Sequence, residues 1–223
     1  MFQSCARYAA CLDGVKGSRG AKIKGGLSLI PLFALAACHS VPETRVATPA
    51  VESVPEDSAG VSMQFERALT LLGAGDVDLA VKELELLSGS NPEYSGPVLN
   101  LGIAYSKSGK LPEAEQAFKM AIARKPDSAA AYNQLGILYR KLGRFTDAVN
   151  SYQRALEIQP DYALAHLNLG VLYDLYLQQP DKALQEFESY ESLTGASDAV
   201  VNGWIKEIKS RLGGAARSGR SEA

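Results

Sequence analysis

Val98-Leu99-Asn100-Leu101-Gly102-Ile103-Ala104-Tyr105 is followed by Ala114, Phe118, Ala121 and Pro126, and the same scaffold returns 34 residues later as Tyr132, Leu135, Gly136, Tyr139, Ala148, Tyr152, Ala155 and Pro160. A further copy opens with His166, Leu169, Gly170 and Tyr173. Repetition at a period of roughly 20–50 residues marks stacked supersecondary units, each too small to bury its own apolar face. With Pro92, Pro126 and Pro160 as ends, the units run 61–94, 95–128, 129–162 and 163–197.

Each unit reads as two helices. Gly109 and Gly143 fall where a first helix would close on a left-handed residue, and Pro112 falls at the opening of a second, where its missing donor is harmless. Gly102, Gly136 and Gly170 lie inside the first helix, where glycine costs about 1 kcal/mol against alanine, so close packing must require them. The expectation is that Ala114, Ala148 and Ala183 of the second helix present the small face there, with Tyr105, Tyr139 and Tyr173 filling the space around the contact.

A large residue, Leu-Gly, Tyr, Ala, an aromatic, Ala and Pro in this order resembles the tetratricopeptide repeat family. The resemblance implies an all-α, right-handed superhelical α-solenoid of four helix-turn-helix repeats. In the first unit Ala68, Leu71 and Leu84 replace the glycine, the tyrosine and the aromatic, as suits a terminal unit with one face to solvent. The fourth departs at its turn, Asp174-Leu-Tyr-Leu-Gln-Gln-Pro-Asp181, which is one residue longer and lacks the glycine. Beyond it, Val201, Trp204, Ile205, Ile208 and Leu212 form one apolar face, so 198–212 is expected as a capping helix with Ser197 or Asp198 as N-cap, and 213–223 as a disordered tail.

The amino-terminal end carries a different message. Arg19, Lys22 and Lys24 precede the apolar run 27–37, too short to span a bilayer comfortably, and the run closes on Leu35-Ala36-Ala37-Cys38. That close resembles the lipobox of bacterial lipoprotein signal peptides, which implies cleavage before Cys38 and lipidation of its thiol. The alternative is an ordinary secretory signal cut near Ala36 or Ala37, releasing a soluble periplasmic protein. His39, in place of an Asp, implies outer-membrane sorting with the body facing the periplasm. Residues 38–60, with Pro42, Pro49 and Pro55, read as a disordered tether. The 24 residues before Gly25, with Cys5 and Cys11, exceed what a signal needs, so translation is expected to start downstream, near Leu12 or Val15.

Composition narrows the function. A formal charge of -2 supplies no basic excess for binding nucleic acid, and without residues 1–37 the balance becomes 18 basic against 24 acidic side chains. The two histidines, His39 and His166, are far apart, and the cysteines sit in the first fifth of the chain, so no metal or nucleophile cluster is expected. Acidic pairs such as Glu83 and Glu85, Glu113 and Glu115, or Glu186 and Glu188 read as solvated faces of second helices. No catalytic site, cofactor or small-molecule substrate is expected.

What remains is a surface. The family resemblance implies a groove lined by first-helix residues: Phe65 and Leu69; Leu99, Ile103 and Lys107; Asn133, Ile137, Arg140 and Lys141; Leu167, Val171 and Asp174. Read so, the groove is an apolar trough for an extended or helical segment of an envelope protein, with Arg140 and Lys141 available to an acidic side chain. Ile137→Glu or Leu167→Glu is expected to abolish capture without unfolding the array. The family's layout on a lipoprotein resembles pilus-biogenesis factors, and implies a scaffold or assembly factor; a regulator of a cell-wall enzyme is the other expectation.

Overall fold

A computed structural model describes residues 59–195 and 198–218. Within them the chain forms nine α-helices: α1 Ala59–Ala74, α2 Val77–Ser90, α3 Ser95–Lys107, α4 Leu111–Arg124, α5 Ala129–Lys141, α6 Phe145–Ile158, α7 Ala163–Val171, α8 Pro180–Thr194 and α9 Ala199–Ser218. Helices α1 to α8 make four pairs, each packed on the next, so the described residues are an all-α helical solenoid. The signal, Cys38 and most of the tether lie outside the described residues, as do Ser197 and the last five positions.

Three turns share one construction. Gly75, Gly109 and Gly143 adopt φ of +89°, +79° and +73°, a region open to glycine at little cost. The residue after each donates back across the turn: Asp76 N–H to the Leu71 carbonyl, Lys110 to Tyr105 and Arg144 to Tyr139, all at 2.9 Å. These bonds span five residues and fix where the second helix starts.

The fourth turn solves the same problem with one residue more. After α7 the chain widens into a single π-helical turn, Leu172–Tyr176, and Gln178 takes the left-handed place at φ +54°. Gln179 N–H then donates to the Tyr173 carbonyl at 2.8 Å, a span of six. The insertion is thus absorbed before α8, which opens on Pro180 and keeps Ala183 and Phe187 buried.

Packing inside the pairs corrects one expectation. A Cβ added to Gly102, Gly136 or Gly170 would sit 2.5 to 2.6 Å from the ring of Phe118, Tyr152 or Phe187. The second helix therefore meets each glycine with its aromatic. Ala114, Ala148 and Ala183 are fully buried as well.

Helix α9 packs on α8 at the end of the array. Asp198 Oδ1 accepts from the N–H groups of Val200 (3.1 Å) and Val201 (3.4 Å), which makes Asp198 the N-cap, while its Oδ2 accepts from the Tyr190 hydroxyl at 3.2 Å. Val201, Ile205 and Ile208 are buried, and the Trp204 ring lies 5.4 Å from that of Phe187. Helix α9 continues to Ser218, six residues past Leu212, where the expected tail was to begin.

Candidate functional site

The first helices meet in sequence, α1 with α3, α3 with α5 and α5 with α7. That closer spacing puts them on the inner face of the array, where the sequence places the candidate groove. The groove's expected residues divide sharply there. Phe65, Leu69, Leu99, Ile103, Asn133 and Leu167 are buried, so they pack between helices and line no open trough. The cause is the first-helix contact itself, which covers the positions just before and after the Leu-Gly pair. Asn133 and Asn168 show it directly: the Asn168 amide donates to Asn133 Oδ1 at 3.0 Å, a buried tie between α5 and α7.

What stays accessible is less apolar than the sequence implies. Ile137 and Val171 are half-buried, Arg140 is half-buried, and Lys107 and Lys141 are exposed. Lys141 donates to the Ser106 carbonyl near the end of α3, at 3.1 Å. Asp174, the acidic member, is taken by Arg211 of α9, so it faces the cap. On the first helices, Lys107, Arg140 and Lys141 supply cations in the second and third repeats, and Ile137 and Val171 supply partly covered aliphatic surface in the third and fourth.

Several carboxylates that the sequence reads as solvated surface instead tie repeats together. Tyr105 of α3 donates to Glu85 of α2 at 2.6 Å, and burial, with that hydrogen bond next, pushes the phenol up to about 12. Glu115 of α4 accepts from Lys119 (2.7 Å), from Arg144 (3.1 Å) and from the Tyr139 hydroxyl (3.2 Å). Lys119 does most to hold the Glu115 carboxyl below its ordinary value, with Arg144 and Tyr139 adding and burial opposing. His166 lies 2.7 Å from Glu186 through Nδ1 and 3.0 Å from the Pro160 carbonyl through Nε2. These contacts assemble neither a nucleophile nor a proton relay around a cavity. Among the described residues no group of His, Cys, Asp and Glu is placed to hold a metal ion, and no helix is long and apolar enough to cross a membrane.

Apolar surface also stands open at the fourth turn. Leu175 (36% exposed), Tyr176 (45%) and, across the turn, Leu142 (38%) leave large apolar surface in water. Phe145 and Tyr176 stack obliquely with ring centroids 5.1 Å apart. The signal was the turn's extra length, which puts Leu175 and Tyr176 where the repeat before has Lys141 and Leu142.

Comparison with known proteins agrees with the helix pairs. Residues 71–136 match a model described as tetratricopeptide repeat, and residues 136–175 one described as TPR repeat. Among solved structures, Pseudomonas aeruginosa pilF is similar at a TM-score of 0.64 and 18% identity, over 74% of this chain and 75% of that one. A thermophilic TPR protein of Thermus thermophilus, TTC0263, gives 0.58 and 22%, over 69% and 83%. The MamA protein gives 0.54 and 22%, over 68% and 87%. At such identities the likeness is one of fold. No curated protein matches the sequence.

Proposed function

Tetratricopeptide repeats occupy residues 71–175, and from that premise we propose that the chain is a non-catalytic scaffold or assembly factor of the bacterial cell envelope, held by a lipid on Cys38. It takes a segment of a partner protein on the inner face of the array. Proteins built of these repeats generally mediate protein–protein contact. The observation that carries the reading is the strip of Lys107, Arg140 and Lys141 beside half-buried Ile137 and Val171. It offers charge for acidic groups on the second and third repeats and an aliphatic floor on the third and fourth.

The anchor rests on Leu35-Ala36-Ala37-Cys38 after a basic stretch and a short apolar run. Several acyl chains, at about 0.8 kcal/mol per buried methylene, give stable attachment without a spanning helix. His39 directly after the cysteine supports the outer membrane, with the repeats in the periplasm. Cys38→Ser is expected to move the protein to the soluble periplasmic fraction and to abolish incorporation of labelled palmitate. If the parent takes up no label, the protein is a soluble adaptor.

Partner capture is tested at Ile137. Because Leu167 is buried, a glutamate there would strain the fold, whereas half-buried Ile137 can carry the charge outward. Ile137→Glu should remove the crosslinked partners of the native protein while leaving its thermal midpoint within a few degrees. Capture of the same partners after the change would put the binding surface elsewhere.

A further inference from the structure

Met63, Leu86 and Leu79 are the most exposed large apolar side chains among the described residues, at 74%, 62% and 51%. All three belong to the first repeat, and they share one face of it. Arg67 of α1 and Glu83 of α2 pair at 3.7 Å across that face. Met63 stands one turn before Arg67, and Leu79 and Leu86 stand one turn to either side of Glu83, so the ion pair is ringed by apolar side chains. In the later repeats the counterparts of Met63 are Pro97, Ala131 and Ala165, and those of Arg67 are Leu101, Leu135 and Leu169, all buried. Ala165 clusters with Ala129 and Ala155 of the repeat before it. A preceding repeat would therefore cover this face, and α1 opens the array without one.

Repeat packing does not account for the leucines. Leu79 has Glu113 and Asp147 as counterparts, and Leu86 has Met120 and Arg154, none of them buried. Lys82 lies exposed between the two leucines and makes no ion pair among the described residues. The chain enters at this same face. Pro49-Ala-Val-Glu-Ser-Val-Pro55 and Glu-Asp-Ser58, outside the described residues, lead directly into Ala59 at the head of α1. Because Arg67 is level with Glu83, that head lies beside the last turns of α2, where Leu86 is. A residue before proline favours the polyproline II region, as Val54 does here. That helix has three residues per turn, which would stack Val51 and Val54 on one side about 9.3 Å apart. Leu79 and Leu86 are two turns apart on α2, about 10.5 Å.

We propose that this segment of the chain itself covers the face, as a polyproline strap of residues 49–55 lying along α2. Val54 packs between Met63 and Leu86, Val51 packs on Leu79, and Glu52 turns to Lys82. Running back from Ala59, the chain meets Leu86 before Leu79, the order in which Val54 and Val51 occur. The five residues from Ala59 to Val54 reach about 16 Å, enough to cross the roughly 8–10 Å between packed helix axes. Length, direction, spacing and one charge thus agree on this occupant. A negatively charged lipid surface would instead meet Glu66 and Glu83 on the same exposed end. Docked, the strap closes the opening of the array as α9 closes its end. It requires neither a lipid on Cys38 nor any occupant of the inner face, so its failure would leave the scaffold reading untouched.

The test uses the full chain with Cys5, Cys11 and Cys38 changed to serine, into which cysteine pairs are placed. Disulfides form only where Cα atoms approach within about 4.4–6.8 Å. Val54→Cys with Leu86→Cys, and Val51→Cys with Leu79→Cys, should close within one molecule under mild oxidation, read as loss of both thiols at monomer mass. The crossed pairs, Val54→Cys with Leu79→Cys and Val51→Cys with Leu86→Cys, should close about tenfold more slowly or not at all. In the same cysteine-free chain, Val54→Ser or Leu86→Ser should raise hydrogen exchange in α1 and α2 about fivefold, and the two together little more than either alone. Both leucines are exposed in the described residues, so these changes leave the array folded.

Equal closure of all four pairs, closure of none, or exchange that ignores Val54→Ser overturns the proposal. Disulfides found chiefly between molecules overturn it by putting a second copy on the face. Flotation with phosphatidylethanolamine–phosphatidylglycerol vesicles that is lost on Leu86→Ser overturns it in favour of a lipid surface.

Discussion

Gly136 shows what a single atom decides in this array. Alanine would gain about 1 kcal/mol in helix propensity. Its Cβ would stand 2.6 Å from the Tyr152 ring, which is itself fully buried and has nowhere to go. Overpacking of that kind costs about 1–3 kcal/mol, so Gly136→Ala should destabilise on balance, read as a lower urea midpoint with an unchanged slope. Glu115 gives a second prediction at this scale. Its carboxyl is held below the ordinary value of 4.5, chiefly by Lys119, so its contribution is complete above that value and is lost as pH falls through the lower folded-state value. The gap in thermal midpoint between the native protein and Glu115→Gln should therefore be widest near neutrality and close in acid. The need for glycine was legible in the sequence, because its cost in a helix demands a reason. Which atom meets it was not, since Ala114 and Phe118 are both small-period neighbours until the crossing of the two helices is known.

At the scale of elements, the π-helical turn and Gln178 belong together. Widening α7 by one residue keeps α8 in register, but it leaves a residue with a Cβ at φ +54°, a conformation costing about 1–2 kcal/mol outside glycine. Gln178→Gly should recover up to about 1 kcal/mol, part of the relief being offset by the greater freedom of glycine in the unfolded chain. Gly143→Ala, at φ +73° with open space around it, should lose a similar amount through backbone strain alone. Opposite signs in the two urea midpoints are the expected result, and equal signs would mean that space, not φ, governs these turns. Turn length was readable from Asp174 to Pro180. That the chain would widen the preceding helix, rather than bulge the loop, follows from the backbone hydrogen bond to Tyr173, which no side-chain pattern encodes.

On the scale of the molecule, each repeat is stabilised by the one beside it, and the ends are the exposed terms of that series. The candidate groove was misread at this scale: Leu99, Ile103 and Leu167 looked like surface within one helix, and only the neighbouring first helix buries them. By the same logic α9 matters most to what it touches. Val201, Trp204, Ile205 and Ile208 cover α8, and Arg211 reaches across to Asp174 at the end of α7. A chain ending at Gly195 would return the Phe187 and Tyr190 faces to water and leave Asp174 without its cation. Hydrogen exchange should then rise by an order of magnitude or more through Ala163–Thr194, at about 1.4 kcal/mol per factor of ten, less through α5 and α6, and hardly at all in α1 to α4. The gradient is the discriminating feature. Nearest-neighbour coupling requires the loss to fade with distance from the cut, whereas an array that unfolds as one cooperative body would lose protection evenly from α1 to α8.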